Sequence, residues 1–226
     1  MPTSAALDLG VEQRRTLAAP RRPYGALARL LFAGMDLIYG RRRTLLKFKV
    51  LEVVARVPYQ AWEQVAYVAM THTYSMPGFA RRIFEFVKES RSQQDNEMWH
   101  LLILEELIQK RRLREGFVLY GVLPQFIAFF YYHVSWLLYV VRPALSYGLN
   151  ADFEDHAEHE YMEFVAENPG LEKAAFESDF ARDYGEFASL ADLFRNIGLD
   201  ERHHKEESLD RIAHPRFSRR APEQSP

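Results

Sequence analysis

Apolar positions along this chain recur with the period of a helix, and nowhere with that of a strand. From Tyr24 to Tyr39, Leu27, Leu30, Leu31, Met35 and Ile38 fall three or four apart, which predicts an amphipathic helix with Arg29 and Asp36 off its stripe. A second helical stretch covers 44–75, and Pro58 is expected to kink or divide it. Pro77-Gly78 marks a turn, and a third helix follows over 79–112, ending at the basic run Lys110 to Arg112. Further helices are predicted over 144–166 and 188–212, with a shorter acidic helical stretch over 171–187 between them. Residues 1–22 mix Pro, Ala and Arg without a period and read as a flexible basic arm. The Pro/Arg/Ser-rich tail over 213–226 reads as disordered. The fold class is all-α, one domain over 23–212.

One segment breaks the amphipathic rule. Between Glu115 and Arg142 there is no Asp, Glu, Lys or Arg, so 117–141 is long and apolar enough to span a bilayer. Pro124, Gln125 and His133 interrupt it, and Tyr131, Tyr132, Trp136 and Tyr139 are residue types of the membrane interface. A helix lying in one leaflet, packed on a bundle with one side in lipid, fits equally well. Charge adds to this picture: Arg14, Arg15, Arg21, Arg22, Arg29 and the run Arg41 to Arg43 outnumber Asp8, Glu12 and Asp36, and such a flank suits an anionic lipid face. The whole chain carries a formal net charge of −2, which offers no field for nucleic acid. The first 15 residues lack the continuous apolar core of a secretory signal. The absence of cysteine removes thiolate metal sites and thiol nucleophiles.

The chemistry rests on two Glu-x-x-His pairs, Glu97/His100 and Glu201/His204. Residues three apart share a helix face, so each pair can address one metal ion. One such pair is weak evidence; two in helical sequence are stronger. Ferritin-like di-iron bundles add a lone Glu from each of two further helices. Here Glu52 and Glu154 stand in the required order, and four carboxylates would balance two Fe²⁺ ions. Carboxylate and imidazole donors suit iron or manganese. Glu158, one turn after Glu154, competes with it, and Asp200/His203 competes with the second pair. Asn96 and Asp200 each stand four residues before a histidine, placed to orient it or to brace a neighbouring ligand. Glu52 lies in the apolar run Val50 to Ala55, where a carboxylate needs a partner, either metal or Arg56. Asp152, Asp155, Glu160 and Glu163 are expected on exposed or supporting faces, and His156, His159 and His203 away from the metal.

Four stretches, LEVVARVPY (51–59), NEMWHLLILEEL (96–107), FEDHAEHEY (153–161) and LADLFRNIGLDERHH (190–204), resemble the alternative oxidase family, especially its plastid terminal oxidase branch. The resemblance covers most of 45–210. It implies a ferritin-like four-helix di-iron bundle with two additional membrane-associated helices, 24–40 and 117–141, lying in one leaflet. It implies two Fe ions on Glu52, Glu97, His100, Glu154, Glu201 and His204, with Tyr161 beside them taking part in oxygen reduction. The implied activity is quinol oxidation with reduction of O₂ to water and no proton pumping, in a homodimer. Lys47, Val53 and Glu160 depart from the family's Arg, Thr and Thr; Lys47 and Glu160 are quinol-site candidates, so the choice among ubiquinol, menaquinol and plastoquinol is open. The short 165–187 stretch lacks the plastid enzymes' aromatic insertion, which points to a bacterial relative on the cytoplasmic face of the inner membrane. Two rivals share the ligand set: a di-iron hydroxylase of a quinone or other lipophilic substrate, and a non-catalytic metal-binding membrane protein.

Overall fold

The computed structural model describes residues 8–213, and every regular element among them is helical. The helices are α1 (Leu9–Ala18), α2 (Ala26–Tyr39), α3 (Leu45–Ala55), α4 (Val57–Thr71), α5 (Pro77–Lys110), α6 (Leu123–Val141), α7 (Pro143–Glu167), α8 (Ala181–Tyr184) and α9 (Leu190–Ala213). A wider-wound turn, Phe117–Val122, leads into α6. The boundaries have local causes. Thr44 caps α3 by accepting from the Lys47 N–H at 3.2 Å. Proline lacks an N–H and is tolerated only in a first turn, so Pro58 forces the break between α3 and α4 at Arg56. Gly40, at φ +82°, closes α2 with its N–H on the Asp36 carbonyl.

Helix α3 packs on α5, and α7 packs on α9. The two pairs enclose a core in which Phe48 stacks on Tyr161 at 4.3 Å and Phe194 lies against both. Helices α7 and α9 approach closely at Gly198: a Cβ there would fall 2.9 Å from the Met162 methyl and 3.4 Å from the Glu158 carbonyl. The α4–α5–α6 side carries a second core around Tyr59, Trp62, Tyr139 and Tyr147.

Three expectations are corrected. The basic arm is ordered from Asp8 onward: α1 lies across α7 and α9, with Thr16 donating to Glu158 at 2.6 Å, Gln13 donating to the Met162 carbonyl at 2.9 Å, and Arg202 bridging to Glu12 and Thr16. Arg21 and Arg43 meet Glu160 and Glu163. Of the two faces expected for Asp152, Asp155 and Glu160, exposed or supporting, the exposed one is ruled out: they are buried anchors for the segment around residues 19–25; Asp152 accepts the Gly25 N–H at 2.7 Å and Asp155 the Arg22 N–H at 3.0 Å. The 171–187 stretch is irregular apart from a short turn at Pro169–Lys173 and the four-residue α8: Phe176, Phe180, Tyr184 and Phe187 pack against the core, but Ser178 and the Asp179 N–H bond to Glu106 of α5 instead of continuing a helix. The predicted tail, beyond Ala213, lies outside the described residues.

Helix α6 with its leading turn, Phe117–Val141, turns most of its apolar surface outward. Phe117 is 80% exposed, Leu37 of α2 is 87% exposed, and Phe126, Phe129, Phe130, Leu137 and Val141 are exposed as well. The end of α2 meets this face where the Tyr39 hydroxyl donates to the Leu119 carbonyl at 3.0 Å. A surface of this size and composition on a folded chain marks an interaction with lipid or protein.

Candidate metal centre

Six ionisable side chains meet in the interior between the helix pairs: Glu52 from α3, Glu97 and His100 from α5, Glu154 from α7, and Glu201 and His204 from α9. Glu52, Glu97, His100 and Glu154 have no exposed surface, and Glu201 and His204 almost none. The spacing of three on α5 and α9 turns both members of each pair inward.

Their donor atoms form two overlapping sets. Glu52, Glu97, His100 and Glu201 offer atoms within 4.8 Å of one another, and so do Glu97, Glu154, Glu201 and His204. Glu97 and Glu201 belong to both sets. His100 Nδ1 is 3.3 Å from Glu52, 3.4 Å from Glu201 and 3.7 Å from Glu97. His204 Nδ1 is 2.8 Å from Glu97 and 3.7 Å from Glu201. The arrangement is thus two half-sites, each with one histidine and one terminal glutamate, sharing two central glutamates.

Apart from the contacts between the histidines and the glutamates, the inward atoms of these groups have nothing among the described residues to offset their burial. Both oxygens of Glu97 and of Glu201, one each of Glu52 and Glu154, and Nδ1 of both histidines are buried without a hydrogen-bond partner. Stripping charged groups of water costs several kcal/mol each unless they are paired. The two overlapping sets of carboxylate and imidazole donors fit two divalent cations of the iron or manganese kind. Without such charge, burial and the neighbouring Glu201 and Glu97 carboxylates push Glu154 far above the ordinary carboxylate range. Burial raises Glu52 similarly. Glu97 goes the other way: burial opposes it, but His100 and His204 hold it below that range.

Asp200 braces His100, on the neighbouring helix, and not His204 on its own. It accepts from His100 Nε2 at 3.2 Å, which leaves Nδ1 for the interior. Tyr184 donates to the same carboxylate at 2.7 Å, and Asn196 (3.3 Å) and Asn96 (3.4 Å) complete the group. Asn96 therefore acts on Asp200, not on an imidazole. Tyr161 is fully buried and its hydroxyl donates to Glu52.

The competitors fall elsewhere. Glu158 accepts from Thr16, Arg202 and Lys205 on the outer side of α7. His203 pairs with Glu207, and His156 stacks on Phe32 at 4.0 Å, burial pushing it down to about 4. Lys47 is tied to Asp36 at 2.6 Å and to the Gly40 carbonyl, while Glu160 is held by Arg21 and Arg43. Neither quinol-site candidate belongs to the metal cluster. Sequence reasoning missed Tyr59, whose hydroxyl donates to Glu154 at 2.6 Å, and Tyr184. A signal for the first existed: Tyr59 follows Glu52 by seven residues, as Tyr161 follows Glu154.

The alternative oxidase family model matches residues 24–210. The chain belongs to the alternative oxidase family. Among curated members, it is 37% identical to "Ubiquinol oxidase 4, chloroplastic/chromoplastic" of Arabidopsis thaliana, over 58% of this chain and 34% of that protein. It is 26% identical to "Ubiquinol oxidase 2, mitochondrial" of Glycine max, over 79% of this chain and 51% of that alternative oxidase. A mitochondrial ubiquinol oxidase of Mangifera indica is also 26% identical, with 75% and 51% covered. The chain thus spans a third to a half of the length of these relatives. They are plant organellar proteins by name, so they lend no support to a bacterial inner-membrane address.

Proposed function

We propose that the protein is a membrane-associated quinol:oxygen oxidoreductase that reduces O₂ to water at a two-iron centre. The observation that carries this reading is the doubled half-site: eight buried donor atoms, whose nearest polar neighbours are one another, come together from six side chains on four helices. Family membership and the names of the relatives support the quinol part. Glu52 and His100 would hold one ion and Glu154 and His204 the other, with Glu97 and Glu201 available to both. Two bound iron ions would supply the electron storage and oxygen affinity that no side chain offers.

The chain's own part is positioning and exclusion. Asp200 fixes the His100 tautomer, and the packed rings of Phe48, Phe194 and Tyr161 keep bulk water from the Glu52 end. The Tyr161 hydroxyl places an exchangeable proton on Glu52 Oε1, at the edge of the centre. Lys47 and Glu160, each neutralised by a partner, lie on the α2 side of α3 and α7, where a quinol head group from lipid would arrive.

Lipid docking would use the outward face of α2 and α6. Leu37→Glu combined with Phe117→Glu is expected to lower binding to lipid vesicles at least about tenfold while leaving the melting temperature within a few degrees, because both side chains face outward. Unchanged vesicle binding would remove these two helices from the docking surface. The activity itself is tested by oxygen consumption of the iron-loaded, lipid-reconstituted protein given ubiquinol, menaquinol or plastoquinol. Uptake that depends on one of them is expected. No uptake with any would overturn the reading, and many iron atoms per chain would favour storage.

A further inference from the structure

Each terminal glutamate of the cluster receives a tyrosine hydroxyl, and the two donors cross over. Tyr161, seven residues after Glu154, donates to Glu52; Tyr59, seven residues after Glu52, donates to Glu154. Tyr59 is fully buried, and its hydroxyl is itself fixed: Asn150 Nδ2 donates to it at 2.9 Å and to Ser208 Oγ at 3.1 Å, tying α4, α7 and α9 together behind Glu154.

The two ends differ in how the histidine is supported. His100 has Asp200 on its outer nitrogen and Tyr184 edge-on at 5.2 Å. His204 has no hydrogen bond or ion pair on its outer nitrogen among the described residues, and it lines a cavity of about 250 Å³ that also touches Asn96 and Glu207. What steadies the His204 ring is Tyr59, edge-on at 5.5 Å. One side chain thus supports both terminal ligands of that end.

We propose that Tyr59 is the positioning residue of the metal position bounded by Glu154 and His204: it occupies Glu154 Oε1 so that Oε2 points to the ion, and it confines the His204 ring. Tyr59 touches no substrate and acts only through these two ligands. The proposal rests on the two-ion reading above. Its consequence is selective: losing the Tyr59 hydroxyl weakens one of the two metal positions and spares the other, which has Tyr161 and Asp200 of its own.

The test is titration of the metal-free full chain with Co²⁺, read by its ligand-field absorption, for the wild type, Tyr59→Phe and Asn150→Ala. The wild type takes up two ions. In Tyr59→Phe one ion keeps wild-type affinity, the other is weakened about 10–100-fold with an altered spectrum, and the metal-free melting temperature stays near that of the wild type. Asn150→Ala, which leaves the phenol in place but unanchored, shows the same selective loss to a smaller degree, and it decides the matter if Tyr59→Phe does not fold. Equal weakening of both ions, or unchanged affinity and spectrum in the variants, overturns the positioning role while leaving the two-ion reading intact. A wild type that binds fewer than two ions overturns both.

Discussion

Glu97→Ala is expected to strip the purified protein of both ions and to abolish quinol-dependent oxygen uptake. Glu97 is in both donor sets, so its removal takes an oxygen from each half-site at once. It also takes away the carboxylate nearest His204, at 2.8 Å, and so leaves that imidazole without its closest charge partner. The loss in metal affinity is expected to exceed the roughly 10–100-fold that follows from removing a supporting partner alone. Glu158→Ala, one turn along α7 from Glu154 but paired with Arg202 and Lys205, is the contrasting variant: it should loosen α1 and lower stability with the metal content kept. Metal analysis and oxygen uptake on the two proteins check this. Full metal content in Glu97→Ala would remove it from the centre.

Metal uptake by the metal-free protein is expected to weaken steeply as pH falls, with protons released on binding. Burial pulls His100 down, yet Tyr184, Asp200, Glu201 and Glu52 hold it well above the ordinary imidazole value. For His204, burial is likewise outweighed by Glu201 and Glu97. Glu52 and Glu154 are raised by burial and by neighbouring carboxylates. An ion needs the deprotonated form of every ligand, so all four groups must give up a proton to it. The sign follows: raised values keep protons on these groups to higher pH than on the free side chains, and binding must displace them, so apparent affinity climbs as pH rises. Up to four protons leave per pair of ions, so affinity for the pair changes by as much as about 10⁴ per pH unit where all four are protonated. Titration calorimetry in buffers of different ionisation enthalpy counts those protons. An affinity that does not vary between about pH 6 and pH 8 would show that the histidines are already neutral.

The parts of this site that spacing could reveal were those set by the geometry of one helix. Glu97/His100 and Glu201/His204 were legible because a separation of three puts both side chains on one face whatever the rest of the fold does. Glu52 stood out as a carboxylate in an apolar run. Glu154 and Glu158 could not be separated this way, since residues four apart also share a face; the resemblance to the family favoured Glu154. What divides them in the structure is distant in sequence: Thr16, Arg202 and Lys205 gather around Glu158 from other elements. The same reason hid the order of residues 8–22, whose partners on α7 lie more than a hundred positions away. Asp200 was placed beside the centre, but its partner is the histidine of the other helix, which no spacing within α9 reports. Tyr59 ends the stretch LEVVARVPY, but it was not singled out there. The helix boundaries were read closely where proline or a cap sets them, and least well over 171–187, where aromatic residues at helical spacing do pack on the core but the backbone is held by Glu106, a residue distant in sequence.

The most direct test of the central claim is the ratio of quinol oxidised to oxygen consumed by the iron-loaded protein in lipid, with the organic product identified. Four-electron reduction of O₂ to water requires two quinols per O₂ and yields only the quinone; that ratio, absent in Glu97→Ala, is the predicted result. One O₂ consumed per molecule of a ring-hydroxylated product would contradict it and make the protein a hydroxylase built on the same six ligands.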